Sequence, residues 1–337
     1  MSGIAEKLFT FLKNEFGNPR FCHWGYPIWI MSVMLAMIYT GECLAVKWGA
    51  PVPTTSLVGF SVLMILNVFF CLILPAFGLC KGFEEKIIGE YSGAGVLVTA
   101  FASGFPLMLI SSSLHNICAW LWLRMDLKII FPAFFYTGGT ASSQGFILSL
   151  ITETILPAFG ISVFFYGLLW SRFRSREKLM GIIVIAVFYT FYSLNVLNSS
   201  AILVCGLWFG LLRYRSGNIF APFLCMLGMK TAELTLTSVL TKVDITTIQT
   251  YSDIPQTYLY ASVPALFLGG VLLYFIKVLM DNFGYSYFSD LHGVDSDKMS
   301  EEDMAIPAFV RGLCPALFAG TLILVALNIL VLKGAHI

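Results

Sequence analysis

Residues 210–228 read GLLRYRSGNIFAPFLCMLG, and this stretch shows how the chain is organised. An apolar run enters it from about residue 200, and another leaves it at Phe220. Between them stand Arg213, Tyr214, Arg215, Ser216, Gly217 and Asn218. Those polar groups are costly in hydrocarbon, where backbone and side chain must find partners without water. Gly217 and Asn218 supply turn chemistry. Pro222 suits the first turn of a helix, because the N–H it lacks is one that a helix start leaves unpaired anyway. The stretch therefore reads as two spanning helices joined by a short polar turn, with Arg213 and Arg215 at headgroup level.

Composition extends that reading to the whole chain. Of 337 residues, 58% are hydrophobic and only 12% charged, and the mean hydropathy is +0.84. Soluble domains carry roughly 25% charged residues, so the bilayer must serve as solvent for most of this surface. A spanning helix needs about 20 largely apolar residues. Candidates lie near 26–47, 56–79, 93–113, 145–170, 181–199, 200–213, 218–240, 258–280 and 308–332. The predicted fold is all-α, a polytopic transmembrane helical bundle of about nine spans, with 200–213 short enough to tilt or to embed only partly. In 114–144, Arg124, Asp126 and Lys128 argue against a span, and the aromatics argue for an interfacial or re-entrant segment.

Residues 1–24 carry Ile4, Leu8, Phe9, Phe11, Leu12 and Phe16 at near-helical spacing, interrupted by Glu6, Lys7, Lys13, Glu15 and Arg20. That pattern fits an amphipathic helix on the membrane surface and not a secretion signal. With the N-terminus in the cytoplasm, most of the 20 basic residues fall on the cytoplasmic side, above all in SRFRSREK, Ser171 to Lys178. The expected localisation is an integral, multi-pass membrane protein with a cytoplasmic N-terminus. No basic run interleaved with stacking aromatics points to nucleic acid. The eight cysteines are scattered singly, without CxxC, so they indicate neither a disulfide framework nor a zinc knuckle.

Charges inside spans are functional candidates by default. Glu42 lies near the outer end of the first span, where it can reach water. Glu153 lies in the fourth. Lys230 and Glu233, in the seventh, are three apart and share a helix face, so they can neutralise each other as a structural ion pair. A proton or ion relay through Glu153 and Glu233 is the alternative. Of four histidines only His115 is near membrane depth, and it reads as a hydrogen-bonded helix-end residue. Ser111, Ser112 and Ser113 close by can satisfy their hydroxyls locally or across helices. A hydrolytic metal site needs about three grouped protein ligands and an open water position. The sequence offers no such group, and HExxH is absent.

From about 145 to 240 the chain resembles the CPBP superfamily, the CAAX prenyl protease and bacteriocin-processing, abortive-infection-type intramembrane metalloproteases. That family carries a Pro shortly before EExxxRG, a basic loop, FxxxH in the next span, and then GxxxGxxYxRTGSLWAPIxxH. Here Pro157 precedes ISVFFYGLLWSRFRSR, FYSLN stands where FxxxH belongs, and GLWFGLLRYRSGNIFAPFLCM follows the last motif. Gly206, Gly210, Tyr214, Arg215, Ser216, Gly217, Ala221 and Pro222 fall in place.

Carried over residue by residue, the paired glutamates fall at Ile161 and Ser162, the motif arginine at Tyr166, and the two histidines at Asn195 and Met226. In the family a glutamate activates water and Glu and His side chains hold a divalent metal such as zinc. Isoleucine and serine are no general base, and a thioether is a soft ligand. Glu84-Glu85 lacks an Arg at the required spacing. No cofactor is therefore expected, because the ligands are absent.

With the apolar and charge pattern, the chain divides into an interfacial helix (1–24), N-terminal spans with the re-entrant or interfacial segment (25–144), the core that resembles the CPBP family (145–240), and C-terminal spans with an acidic cytoplasmic loop at 281–307. The resemblance, with its catalytic positions substituted, implies a pseudo-protease whose partner is membrane lipid, a hydrophobic or prenylated peptide, or another membrane protein. Candidate pocket or relay residues are Glu153, Tyr166, Asn195, Met226, Lys230 and Glu233. Two alternatives stand beside it: an active intramembrane endopeptidase with a displaced site using Glu153, Glu233 and His115, and a small-solute or ion transporter using Glu153, Lys230 and Glu233.

Overall fold

A computed structural model describes residues 25–49, 56–78, 88–89, 93–127, 147–148, 150–173, 178–235, 242–245, 248, 250–294 and 315–332. The interfacial helix expected at 1–24, the stretch 128–144, Glu84-Glu85 and most of the acidic loop lie outside the described residues. Among the described residues nine main helices follow one another, and no strand is present. They are α1 (Gly25–Lys47), α2 (Leu57–Asn67, a wider π turn Val68–Ile73, then Leu74–Gly78), α3 (Ala94–Arg124) and α4 (Leu150–Arg172). Then come α5 (Lys178–Tyr192), α6 (Ser199–Ser216), α7 (Phe220–Thr235), α8 (Gln256–Val294) and α9 (Pro315–Leu332).

Six of these, α1 to α4, α8 and α9, hold a segment long and apolar enough to cross a membrane. The protein is an integral, multi-pass membrane protein with an all-helical bundle. Helix α5 is shorter, at 15 residues, and so is α7, at 16; α6 carries two arginines in its last turn.

Two boundaries differ from the sequence expectation. Helix α3 does not stop near 113 but runs on for 31 residues to Arg124. Nothing in LHNICAWLWL breaks a helix, and the polar residues in it find partners. His115 and Asn116 hydrogen-bond across the bundle, and the Arg124 guanidinium lies over the rings of Trp120, at 5.2 Å, and Tyr251, at 5.9 Å. Helix α5, conversely, ends at Tyr192, so Asn195 stands in a turn and not in a span. Leu194 there has φ of +46°, a left-handed conformation that disfavours continuing the helix.

Helix α3 is the hub. It packs along α7 and α8 and also meets α6, while α5 pairs with α6 and α1 with α9. Without a hydrophobic drive between helices in lipid, close packing depends on small residues. Gly104 of α3 and Gly228 of α7 meet at their crossing: a Cβ on Gly104 would stand 2.5 Å from Cys225 O, and one on Gly228 would run into Phe101 O. The outer faces carry large apolar side chains, such as Tyr260 and Phe267 of α8, at 73% and 76% exposure. That surface is natural against lipid tails.

The polar link between α6 and α7 is shorter than expected, because Arg213 to Ser216 form the last turn of α6 and only Gly217 to Ile219 make the turn. Gly217 closes α6 at φ +67°, its N–H donating to Arg213 O at 3.0 Å, and Asn218 Oδ1 accepts the Phe220 N–H at 2.8 Å. Arg213, however, is enclosed by protein and not open at the surface. It is 2% exposed, and its guanidinium donates to the carbonyls of Ile88 and Gly217. The backbone of 88–89 adds a second tie, since Ile219 N–H donates to Ile88 O at 3.1 Å. A buried arginine with good acceptors is stable where an unpaired one is not. Arg215 instead pairs with Asp281 of α8 at 2.7 Å.

Candidate functional site

Helix α4 carries the first motif and is irregular on both sides of it. Leu150–Ile155 and Phe164–Leu169 are π turns flanking the α-helical Leu156–Val163. Such wide turns are rare and frequently mark functional sites. Glu153 lies in the first, Ile161 and Ser162 in the α-helical middle, and Tyr166 in the second. The segment faces inward: Ile161 is 9%, Ser162 1% and Tyr166 0% exposed.

Tyr166, at the motif arginine position, is fixed by packing and by one hydrogen bond. Its hydroxyl donates to Gly206 O of α6 at 3.0 Å, and its ring meets Phe209 edge-on at 6.0 Å. Phe165 stacks similarly on Tyr189, at 5.6 Å. Met226 of α7, at a motif histidine position, is 5% exposed. Ile161, Tyr166 and Met226 belong to one buried apolar cluster that also holds Phe164, Phe165 and Phe209. Helices α4 and α7 meet directly, with Phe159 edge-on to Phe223 at 6.3 Å. Ser162 Oγ is buried and finds no partner among the described residues. Asn195 is engaged elsewhere: its Oδ1 accepts the Asn198 N–H at 3.2 Å, bracing the turn into α6.

The charged set is a second, separate feature. Lys230 Nζ lies 2.7 Å from Glu233 Oε2, so the pair read from their spacing forms. A third member was not legible: Lys242 Nζ lies 3.3 Å from Glu233 Oε1. Glu153 of α4 acts on Lys230 electrostatically. Glu233 thus has both carboxylate oxygens held by ammonium groups. Glu42 is half-buried with Oε2 covered, which differs from the expected reach to water.

Lys242 lies in the described stretch 242–245, outside the helices, which α3 holds at Val243. Asn116 Oδ1 accepts the Val243 N–H at 2.9 Å, Asn116 Nδ2 donates to Ser262 Oγ at 3.1 Å, and His115 Nε2 lies 3.1 Å from Val243 O. A carbonyl only accepts, so His115 carries its proton on Nε2 here. His115 is a tether between α3 and this stretch, consistent with a hydrogen-bonded role. Ser112 and Ser113 bond within their own helix, to Met108 Sδ at 3.5 Å and Leu109 O at 2.6 Å.

The residues present do not fit the hard divalent metal that the family resemblance implies. The aligned positions offer an alkyl group, two neutral hydroxyls, a carboxamide and a thioether. The Tyr166 hydroxyl is already engaged and the Asn195 oxygen caps a turn. Among the described residues no three His, Cys, Asp or Glu side chains are grouped as metal ligands would be. Zinc sites are built from Cys, His and carboxylate.

Residues 143–231 match the family described as Rce1-like, type II CAAX prenyl endopeptidase Rce1-like. The match bears out the CPBP resemblance over the segment that carries it, which is less than half of the 337-residue chain. Comparison with curated proteins and with solved structures gives no match.

Proposed function

We propose that this chain is a catalytically silent CAAX-protease-like membrane protein, which holds a hydrophobic or prenylated peptide, a lipid or another membrane protein without cleaving it. One observation carries the reading. At the aligned catalytic positions, Ile161, Tyr166 and Met226 serve as packed core, and the Tyr166 hydroxyl is used to tie α4 to α6. A hydrolytic site needs a base with a pKa near the working pH and a held, activated water. Neither a serine hydroxyl nor an alkyl side chain supplies that base. In this reading the N-terminus is cytoplasmic, so the turn between α6 and α7 also faces the cytoplasm.

The displaced-site protease is less well supported. Glu233 is bound by two lysines, and the His115 Nε2–H donates a hydrogen bond to the Val243 carbonyl. The same ion triad supports a structural role for Lys230 and Glu233 over a solute path, because the charges meet each other.

The test is a pair of measurements on detergent-purified full-length protein. Elemental analysis should give substoichiometric zinc, and a fluorescent farnesylated CAAX peptide should bind with an affinity that chelators leave unchanged. Stoichiometric zinc whose removal abolishes peptide processing would overturn the proposal.

A further inference from the structure

Helices α5 and α6 run antiparallel, and two close approaches set their register. A Cβ on Gly206 would stand 3.1 Å from Ala186 Cα, and one on Gly210 would stand 2.8 Å from Ile182 Cγ2. One helical turn further along each helix, Lys178 of α5 comes opposite Tyr214 of α6, beside Arg213. The Arg213 charge acts on Lys178 accordingly. The end of α4 closes the same corner. Trp170 meets Tyr214 edge-on at 6.3 Å, and a Cβ on Gly181 would stand 2.8 Å from Phe173 Cγ, so the chain at Arg172 arrives next to the first turn of α5.

This end of the bundle is basic. Among the described side chains it carries Arg172, Lys178, Arg213, Arg215 and Lys277 against one carboxylate, Asp281. That carboxylate is already shared by Arg215, at 2.7 Å, and Lys277, at 3.8 Å. The connecting sequence RSRE adds Arg174 and Arg176 against Glu177. Lys178 differs from the lysines at the far end, where Glu233 holds both Lys230 and Lys242. Among the described residues its ammonium group has neither a hydrogen bond nor an ion pair, and the charge beside it is another cation.

We propose that this corner binds one anionic phospholipid, with its phosphate on Lys178 and its acyl chains along the outer face of α5. Two properties select that ligand. The head must be anionic, because an ammonium group beside a guanidinium is stabilised by a counter-charge. The tail must be apolar, because Leu179, Met180 and Ile183 follow Lys178 at 62%, 48% and 58% exposure. Leu179 and Ile183 are one turn apart and share a face. Inorganic phosphate would use the charge and leave the apolar face, and a zwitterionic lipid would bring its own cation to the charge. The Trp170–Tyr214 pair fits the same level, since those side chains collect where headgroups begin. The site stands apart from the aligned catalytic positions. Tyr166 reaches Gly206 O, and Lys178 lies opposite Tyr214, about 12 Å further along α6. The proposal goes beyond the silent-protease reading and does not depend on it, because lipid retention at this corner says nothing about peptide cleavage.

The experiment is a titration of delipidated full-length protein in neutral detergent with phosphatidylglycerol and, separately, with phosphatidylcholine of the same chains. Native mass spectrometry counts the bound lipid. Wild type should hold phosphatidylglycerol more tightly than phosphatidylcholine, and excess inorganic phosphate at matched ionic strength should not displace it. A basic residue near an anionic headgroup is worth about 1 kcal/mol, or about 5-fold. Lys178→Gln should therefore lower the affinity about 5-fold and Lys178→Glu about 25-fold, while Lys178→Arg keeps it. Arg124→Gln should leave it unchanged, because Arg124 ends α3 at the opposite end of the bundle, where Cys118 of α3 lies 3.2 Å from Ser200 at the start of α6. The two-lipid comparison on wild type needs no variant to fold. Equal affinity for the two lipids, wild-type affinity in Lys178→Glu, an equal loss in Arg124→Gln, or displacement by inorganic phosphate would each overturn the proposal.

Discussion

Replacing Gly104 with alanine tests the packing on which this architecture rests. The new Cβ would stand 2.5 Å from Cys225 O and from Gly228 C, and closer still to Met229 N, whereas ordinary contact begins at 3.4 Å. The nearest atom, Met229 N at 2.2 Å, sets the demand, so helices α3 and α7 must separate by about 1.2 Å at their crossing. The obstructing atoms are backbone, so no rotamer change relieves the clash. Overpacking of a tight core typically costs 1–3 kcal/mol, and about 3 kcal/mol is expected here because the obstacle cannot move. The displacement would also pull Ser103 from Cys225, now 3.1 Å apart. Gly270→Ala on α8 is the control, since nothing lies within 4 Å of its Cβ position. It should be neutral or stabilise by up to about 1 kcal/mol through helix propensity. Unfolding in mixed detergent–SDS micelles, followed by tryptophan fluorescence, measures both. Equal midpoints for Gly104→Ala and Gly270→Ala would refute the close crossing.

Other consequences can be read from single contacts. Tyr166→Phe removes the buried hydroxyl that donates to Gly206 O and should destabilise by about 1–2 kcal/mol in the same unfolding assay. Arg213→Lys cannot reproduce a fork that reaches the carbonyls of Ile88 and Gly217 together; a loss of about 2–3 kcal/mol and faster limited proteolysis near residue 88 are expected. Asn116→Leu removes the acceptor of the Val243 N–H, so hydrogen exchange at that amide should quicken by about tenfold or more, measured by mass spectrometry of peptides covering 242–245.

Much of the bundle was legible because apolar length is a strong signal. Each of the nine candidate stretches corresponds to a helix, and a turn forms at Gly217 and Asn218, with Arg213 to Ser216 still in α6. Boundaries that depend on long-range partners were not legible. Arg124 and His115 look like reasons to end α3, but Trp120, Tyr251 and Val243 accommodate them. Arg213 looks like a headgroup anchor, yet it is buried because Ile88, 125 residues away, brings an acceptor. Lys242 could not be assigned to Glu233, since the two are nine residues apart and helix spacing does not relate them. Asn195 fell outside its expected span because the left-handed Leu194 ends α5 early, a backbone property that FYSLN does not display. The π turns flanking Leu156–Val163 are equally silent in composition, since they change which carbonyl an N–H meets and not which residues are present. For the candidate site, the missing glutamates and histidines were legible by identity. That Ile161, Tyr166 and Met226 share one packed cluster required the fold.

The central claim is that the protease frame persists without protease chemistry. A single-turnover assay tests it most directly: excess purified protein, a farnesylated CAAX peptide and added zinc, with intact-mass detection of the peptide over hours. The account predicts that the peptide remains whole at every time point. Release of its C-terminal fragment, blocked by a chelator and restored by zinc, would contradict it.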